Sequence, residues 1–383
     1  MNLLARLRTY RHLGPVNIAR VAAYRLGLKS GWHPVQRLSA PAAAAPFFVA
    51  PQKYSDVPAE NTNWDVFLWW FGWKRKPQPD GPPDWFANPF SDRESSNADL
   101  DWWHIPDFDA GDIKAIWELS RFDWVIAWAT KAAHGDMEAL EKLNLWLSDW
   151  ASSNPPYKGP NWKCGQEASI RVIHLITAAW LLGQDKKPEP GILDLLRAHL
   201  QRIAPTMSYA IGQQNNHATS EAAALFIGGS FLSKHDTRAK GWERKGRHWL
   251  EERAATLIER DGSFSQYSVN YHRLMLDTFS LAEAWRRHRD LPHFSERLNS
   301  RLAAATEWLW LLTDSYTGDA PNIGANDGAR LLPLNGDDYR DYRPSVQLAS
   351  ALFQNSNAFG PGAWTAPLRW LQVADQKSRA VQH

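Results

Sequence analysis

The sequence predicts an all-α protein made of antiparallel helix hairpins set in a ring or partial ring. Three observations carry that expectation. From Asp112 onward, apolar residues recur at three-and-four spacing in one segment after another. Short Gly, Pro, Asn or Asp breaks separate those segments, and helices of about 15–22 residues with short loops imply antiparallel neighbours. No fixed period repeats along the chain, so a sequence-coded solenoid is not indicated.

Taken in order, residues 1–55 form a basic segment with a Pro/Ala connector. Pro15 after Gly14 suits a helix start, "VNIARVAAYRLGL" has helical spacing, and "SAPAAAAPFFVAPQ" is extended because its prolines stop a long helix. Residues 56–110 are rich in Trp, Pro, Asp and Asn without periodicity, which predicts an irregular, aromatic-packed lead-in. The helical domain spans 111–372. Its first segment, "DIKAIWELSRFDWVIAWATKAA", opens on an acidic cap and reads as one helix. Further helices are expected near 135–152, 166–183, 190–210, 216–233, 237–259, 268–289, 294–314 and 343–355. Residues 373–383 read as a disordered tail.

Composition narrows the function classes. Hydrophobic content of 44% supplies a substantial core, and 22 Trp is an unusual number. Many must pack inside, while any exposed indole face could stack on a sugar ring. The single cysteine, Cys164, excludes an intrachain disulfide and a cysteine-rich zinc site. No apolar run reaches the roughly 18 residues of a membrane span. Net charge is +2, yet Arg6, Arg8, Arg11, Arg20, Arg25, Lys29, Arg37 and Lys53 all precede the first acidic residue, Asp56. Such a segment either docks on the body or makes a peripheral membrane contact with anionic lipid. Nucleic acid is not an expected partner, since no such motif is present. The start lacks a secretory apolar core, which points to the cytoplasm or a membrane surface.

Polar residues gather at helix starts. "GQQNNHATSEAAALF" places Gln213, Asn215, Asn216 and His217 where free N–H groups and the macrodipole favour an anion. Carboxamides there add donors without charge, and Glu221, four residues past His217, could fix the imidazole tautomer. The competing reading is that Asn215 or Asn216 simply caps the helix. A second knot, "DGSFSQYSVNYHRLMLDTF", brings Tyr271, His272 and Arg273 within two turns. A third, "PNIGANDGARLLPL", is a turn-rich loop containing Asn326. In "NPPYKGPNWKCGQEASIR", Trp162 is a candidate sugar platform, whereas Glu167 and Arg171 have the spacing of a helix ion pair.

These segments, with "DIKAIWELSR" and "PNIGANDGARLLPLNGDDYRDYRPS", occur in the order found in heparinase II/III-like polysaccharide lyases, which the chain resembles over roughly residues 100–350. The 55 residues from Asn216 to Tyr271 resemble that family's spacing. The resemblance implies an incomplete (α/α) toroid that cleaves uronate-containing acidic polysaccharide by β-elimination. It implies that Asn216 and His217 neutralise the carboxylate while Tyr271 transfers a proton, and it suits a periplasm. Gln213, Asn215, Glu221, Trp162, His272, Arg273 and Asn326 are the expected substrate-binding residues. Family members usually continue into a β-sandwich that supplies a further His. No strand-rich region occupies this chain, so a toroid that needs a partner β-sandwich domain for activity stands as an alternative.

The residue types suit that chemistry, because donors aimed at a uronate carboxylate stabilise the enolate-like transition state. Tyr271 could act as base only with a lowered pKa; as a neutral phenol it suits protonation of the leaving oxygen. No metal or nucleotide cofactor is needed, and no Gly-rich phosphate loop is present. Two alternatives stand beside the lyase: a non-catalytic polysaccharide-binding or assembly protein, and an inverting glycosidase using Glu221 and Asp261.

Overall fold

The computed structural model describes residues 3–57, 64, 66–91, 98–108, 111–334, 336 and 338–377, apart from the side chains of 3–12. In chain order these form α1 (Leu3–Lys29), the strands β1 (Phe67–Trp70) and β2 (Lys74–Pro77), α2 (Lys114–Trp117), α3 (Asp123–Ala133) and α4 (Met137–Ser153). Then follow α5 (Gly165–Leu181), α6 (Pro190–Ile203), α7 (Met207–Gly212), α8 (Asn216–Phe231) and α9 (Ala239–Leu257). The chain closes with α10 (Val269–His288), α11 (Glu296–Leu312), α12 (Arg343–Phe353) and α13 (Ala366–Trp370).

Burial sorts the helices into two layers. α5, α8 and α10 are buried on nearly every face, in keeping with the run "AAALFIGG" in α8, which has no polar side chain. α4, α6, α9 and α11 bury one stripe each, such as Leu140, Leu143, Leu147 and Trp150 of α4. The inner series α3, α5, α8, α10 and α12 packs neighbour on neighbour, and each of the first four pairs with the outer helix that follows it. α3 and α12 do not pack along their length, so the fold is all-α and the toroid is incomplete. Because every hairpin runs inward-then-outward in the same sense, the inner helices are parallel. Their N-termini therefore gather at one end of the toroid. Small residues permit the tight α8–α9 contact: a Cβ on Gly246 would lie 2.3 Å from the Phe226 nitrogen.

Much of the tryptophan is core. Trp124, Trp128 and Trp146 meet edge-on or tilted with centroids 4.5–5.4 Å apart. Gly14, with φ 74, splits α1 into two helices, and Tyr24 of the second stacks on Tyr209 of α7 at 4.0 Å. The described part of the basic segment is thus docked on the body; the side chains of Arg6, Arg8 and Arg11 lie outside the described residues. No helix among the described residues is long and apolar enough to cross a membrane.

The structure departs from the sequence reading at four places. Residues 112–133 are not one helix: after α2 and a 3-10 turn at Leu119–Arg121, Phe122 takes φ 69 and the chain restarts as α3. The fully buried Phe122 ring and the Trp124 indole bond to the Leu119 carbonyl (2.9 Å) hold that break. Residues 190–210 divide into α6 and α7 around Ala204–Thr206. The lead-in contains a β-hairpin, turned by Phe71 and Gly72, both left-handed. Residues 373–377 are tied down, with Asn357 Nδ2 donating to Asp375 (2.6 Å) and to the Gln376 carbonyl (2.7 Å), whereas 378–383 lie outside the described residues.

Candidate active site

Hydrogen bonds lace the loops at the N-terminal end of the inner helices into a girdle. Ser265 Oγ donates to the Gln214 carbonyl (3.3 Å), and the Asn216 N–H donates to Gln266 Oε1 (2.8 Å). Ser268 caps α10 and its hydroxyl donates to the Ala325 carbonyl (2.5 Å). Gly324 lies so close to Tyr267 that a Cβ would sit 2.3 Å from its carbonyl. The loop 321–330 is thereby pressed onto the start of α10.

That contact sets the central pair. Tyr271, half-buried, donates its hydroxyl to Asp327 Oδ2 at 2.8 Å. The other carboxylate oxygen accepts from Asn270 Nδ2 (3.3 Å) and the Ala329 N–H (3.2 Å), which fixes Asp327. Burial, then the Asp327 charge and hydrogen bond, raise the Tyr271 pKa well above its ordinary value, with Arg121 opposing. The phenol is therefore protonated at neutral pH. A base needs a lowered pKa; the structure gives the opposite shift, because the phenol is buried and Asp327, not a cation, meets its hydroxyl.

At the start of α8 the competing readings of the carboxamides separate. Asn215 is the cap, its Oδ1 accepting from the His217 N–H (3.1 Å). Asn216 is a buried residue whose Nδ2 has no hydrogen-bond partner, a donor held out of water and left unused. His217 is half-buried, and burial lowers its pKa despite the opposing charges of Glu221 and Glu167, so the imidazole is neutral. No hydrogen bond joins Glu221 to His217 among the described residues, so the carboxyl does not set the tautomer. Glu221 instead lies under the first turn of α5, where a Cβ on Gly165 would be 2.4 Å from its Oε1. Burial raises its pKa to about 8.

A buried charged cluster backs the pair. Arg121 forms a two-point contact with Glu167 (2.8 and 3.0 Å) and also pairs with Glu118. Burial opposes its charge, but the two glutamates more than offset this and hold it protonated. The Glu167 charge is felt by both His217 and Tyr271, which puts the α8 and α10 starts in one electrostatic neighbourhood. The i,i+4 ion pair expected between Glu167 and Arg171 does not form. Arg171 donates instead to His199 Nε2 (2.7 Å) and the Asn161 carbonyl (2.7 Å).

Several expected ligands face inward. Trp162 is 1% exposed, with its indole N–H on the Asn154 carbonyl (3.0 Å) and its ring against His199, so it offers no face to a sugar. His272 is buried, bonded to the Ala305 carbonyl (2.9 Å) and stacked on Trp308 at 4.5 Å. Arg273 is buried under Tyr342, holding the Asn270 side chain and the Ala329 carbonyl (3.0 Å each) together with the Tyr339 carbonyl. It positions the loop that carries Asp327. Gln213 ends α7 at the rim, and Asn326 borders a cleft with Asp327 and Lys114. Asp261 is exposed and caps its own turn through Ser263, so it does not face the buried Glu221 as a glycosidase pair would.

The sequence reading missed Asp327, Arg121 and Lys114. Asp327 sits in an Asn-Asp-Gly turn, a signal for a bend and not for a partner 56 residues back.

A sequence model described as the heparinase II/III N-terminus matches residues 84–309, a stretch holding Asn216, His217 and Tyr271. The chain belongs to the heparinase II/III N-terminal family. Among solved structures it is similar to the heparan sulfate lyase HepC of Pedobacter heparinus, at 22% identity and TM-score 0.40, covering 58% of this chain and 35% of that one. It is also similar to heparinase III, at 16% identity and TM-score 0.45, covering 82% of this chain and 48% of that one. The chain thus spans less than half the length of these heparinase structures. No curated protein matches it.

Proposed function

We propose that this heparinase-family chain cleaves a uronate-containing acidic polysaccharide by β-elimination. The hydrogen bond from Tyr271 to Asp327 carries the reading, because it gives a protonated phenol a way to act as both base and acid. The unused Asn216 amide and the neutral His217 N–H, beside the α8 N-terminus, receive the uronate carboxylate. As the C5–H bond breaks, its proton passes to the phenol oxygen while the phenolic proton moves to Asp327. The C4–O bond then breaks, the C4–C5 double bond forms, and the phenol protonates the departing O4 as Asp327 returns its proton. No free phenolate is required. Donors at the carboxylate act where charge develops, and one such donor is worth about 10²–10³ in rate.

The test is incubation with a panel of acidic glycans while following absorbance of the unsaturated uronate. Asn216→Ala and Tyr271→Phe should each abolish most of the signal. Cleavage that leaves saturated ends, or turnover unchanged in Tyr271→Phe, overturns the proposal.

A further inference from the structure

Phe71, Trp73 and Phe90 form one aromatic surface, with the Phe90 centroid 5.8 Å from each of the other two. Trp73 is 60% exposed and Phe90 52% exposed. A scattered exposed ring needs no explanation, but these share the wall of a cleft of about 490 Å³ that also holds Lys114, Asn326 and Asp327.

The hairpin that presents Trp73 is clamped at three points. The Phe71 N–H donates to Glu118 Oε2 at 2.6 Å. The Phe71 carbonyl lies against Gly328, where a Cβ would be 1.8 Å away. The Tyr339 ring covers Gly72, leaving 2.7 Å for a Cβ. Glycine is required at 72 and 328 on conformational grounds too, with φ of 72 and 71. Gly328 adjoins Asp327, so the shelf is held in register with the Tyr271–Asp327 pair.

We infer that the Trp73–Phe90 shelf is a sugar subsite adjoining Tyr271. It takes a pyranose whose C–H face lies on the rings and whose carboxylate or sulfate turns to the exposed Lys114 ammonium. Lys114 is the cation among this cleft's described lining residues. The Asp112 and Asp327 carboxylates keep their charge, but they already accept from the Lys114 backbone N–H (3.0 Å) and from Tyr271, Asn270 and Ala329, so the ammonium is the group left to meet an anionic substituent. The placement rests on the elimination reading; the stacking itself does not.

The experiment uses the full chain carrying Tyr271→Phe, to suppress turnover, and titrates it with acidic di- and tetrasaccharides by calorimetry. Added Trp73→Ala or Phe90→Ala should weaken tetrasaccharide binding roughly five- to tenfold and leave disaccharide binding nearly unchanged. Trp73→Phe should retain most of the affinity, and Lys114→Gln should weaken binding and flatten its salt dependence. Comparing sulfated with desulfated tetrasaccharides identifies which anion Lys114 meets. Unchanged affinity in both alanine variants overturns the shelf, as does failure of the chain to bind any oligosaccharide. Lost binding in Trp73→Ala alongside a wild type that forms no unsaturated product keeps the shelf and removes elimination. Product formation with KM indifferent to Trp73 and Phe90 does the reverse.

Discussion

Replacing Glu221 by Gln should change the pH dependence of stability, and the size of the change follows from where the carboxyl sits. Its Oε2 is buried without a partner, so nothing there solvates an anion. Burial raises its pKa from an ordinary 4.5 to about 8, with His217 and Arg202 only partly opposing. Between those values the unfolded chain has released a proton that the folded chain still holds. Stability from this group is therefore full below pH 4.5 and is lost as pH rises through 8. From pH 5 to 8 the loss is about 3 kcal/mol. For a chain of 383 residues, with about 2.1 cal/mol/K of unfolding entropy per residue, that is about 4 °C in Tm. Glu221→Gln keeps the neutral form at every pH, so its Tm should fall about 4 °C less than wild type between pH 5 and 8. An unpaired amide N–H in the variant adds a constant cost at all pH values, so the readout is the difference in slope by calorimetry. Parallel Tm curves for the two proteins would refute the placement of a neutral carboxyl beneath α5.

Other perturbations follow from the same geometry. Gly165→Ala should lower stability by about 1–3 kcal/mol, since its Cβ would press on Glu221, as measured by denaturant midpoint. Trp162→Ala should cost about 3–5 kcal/mol by the same assay, the mark of a core residue and not of a sugar platform. Because the Tyr271 pKa is raised, kcat/KM should not climb as pH goes from about 7 to 9. A near-tenfold rise per unit would signal a phenolate base. Asp327→Asn should lower kcat by about 10²-fold or more with little change in KM, as loss of a proton acceptor does.

The sequence conveyed most where local forces decide. The hairpins from α3 to α12 were legible because their apolar stripes repeat at helical spacing, and the α8 carboxamides because capping is a local rule. Phe122 hid the break before α3: a bulky residue at φ 69 is held by tertiary packing and has no turn signature. The β-hairpin was hidden because "FLWW" and "KRKP" do not alternate; aromatic residues occupy both faces and four-residue strands are short. Trp162, His272 and Arg273 looked available because an amphipathic side chain at a helix start is equally suited to a cleft or a core. Only the packing of neighbouring helices separates those cases. Asp327 was unreadable as a partner of Tyr271, since their meeting depends on a loop pinned by Arg273 and Ser268.

The most direct test is cleavage of an acidic polysaccharide in water enriched in oxygen-18, with products weighed by mass spectrometry. Elimination predicts fragments that carry an unsaturated uronate at the new end and no heavy oxygen. Fragments that have taken up the label, with saturated ends, would contradict it.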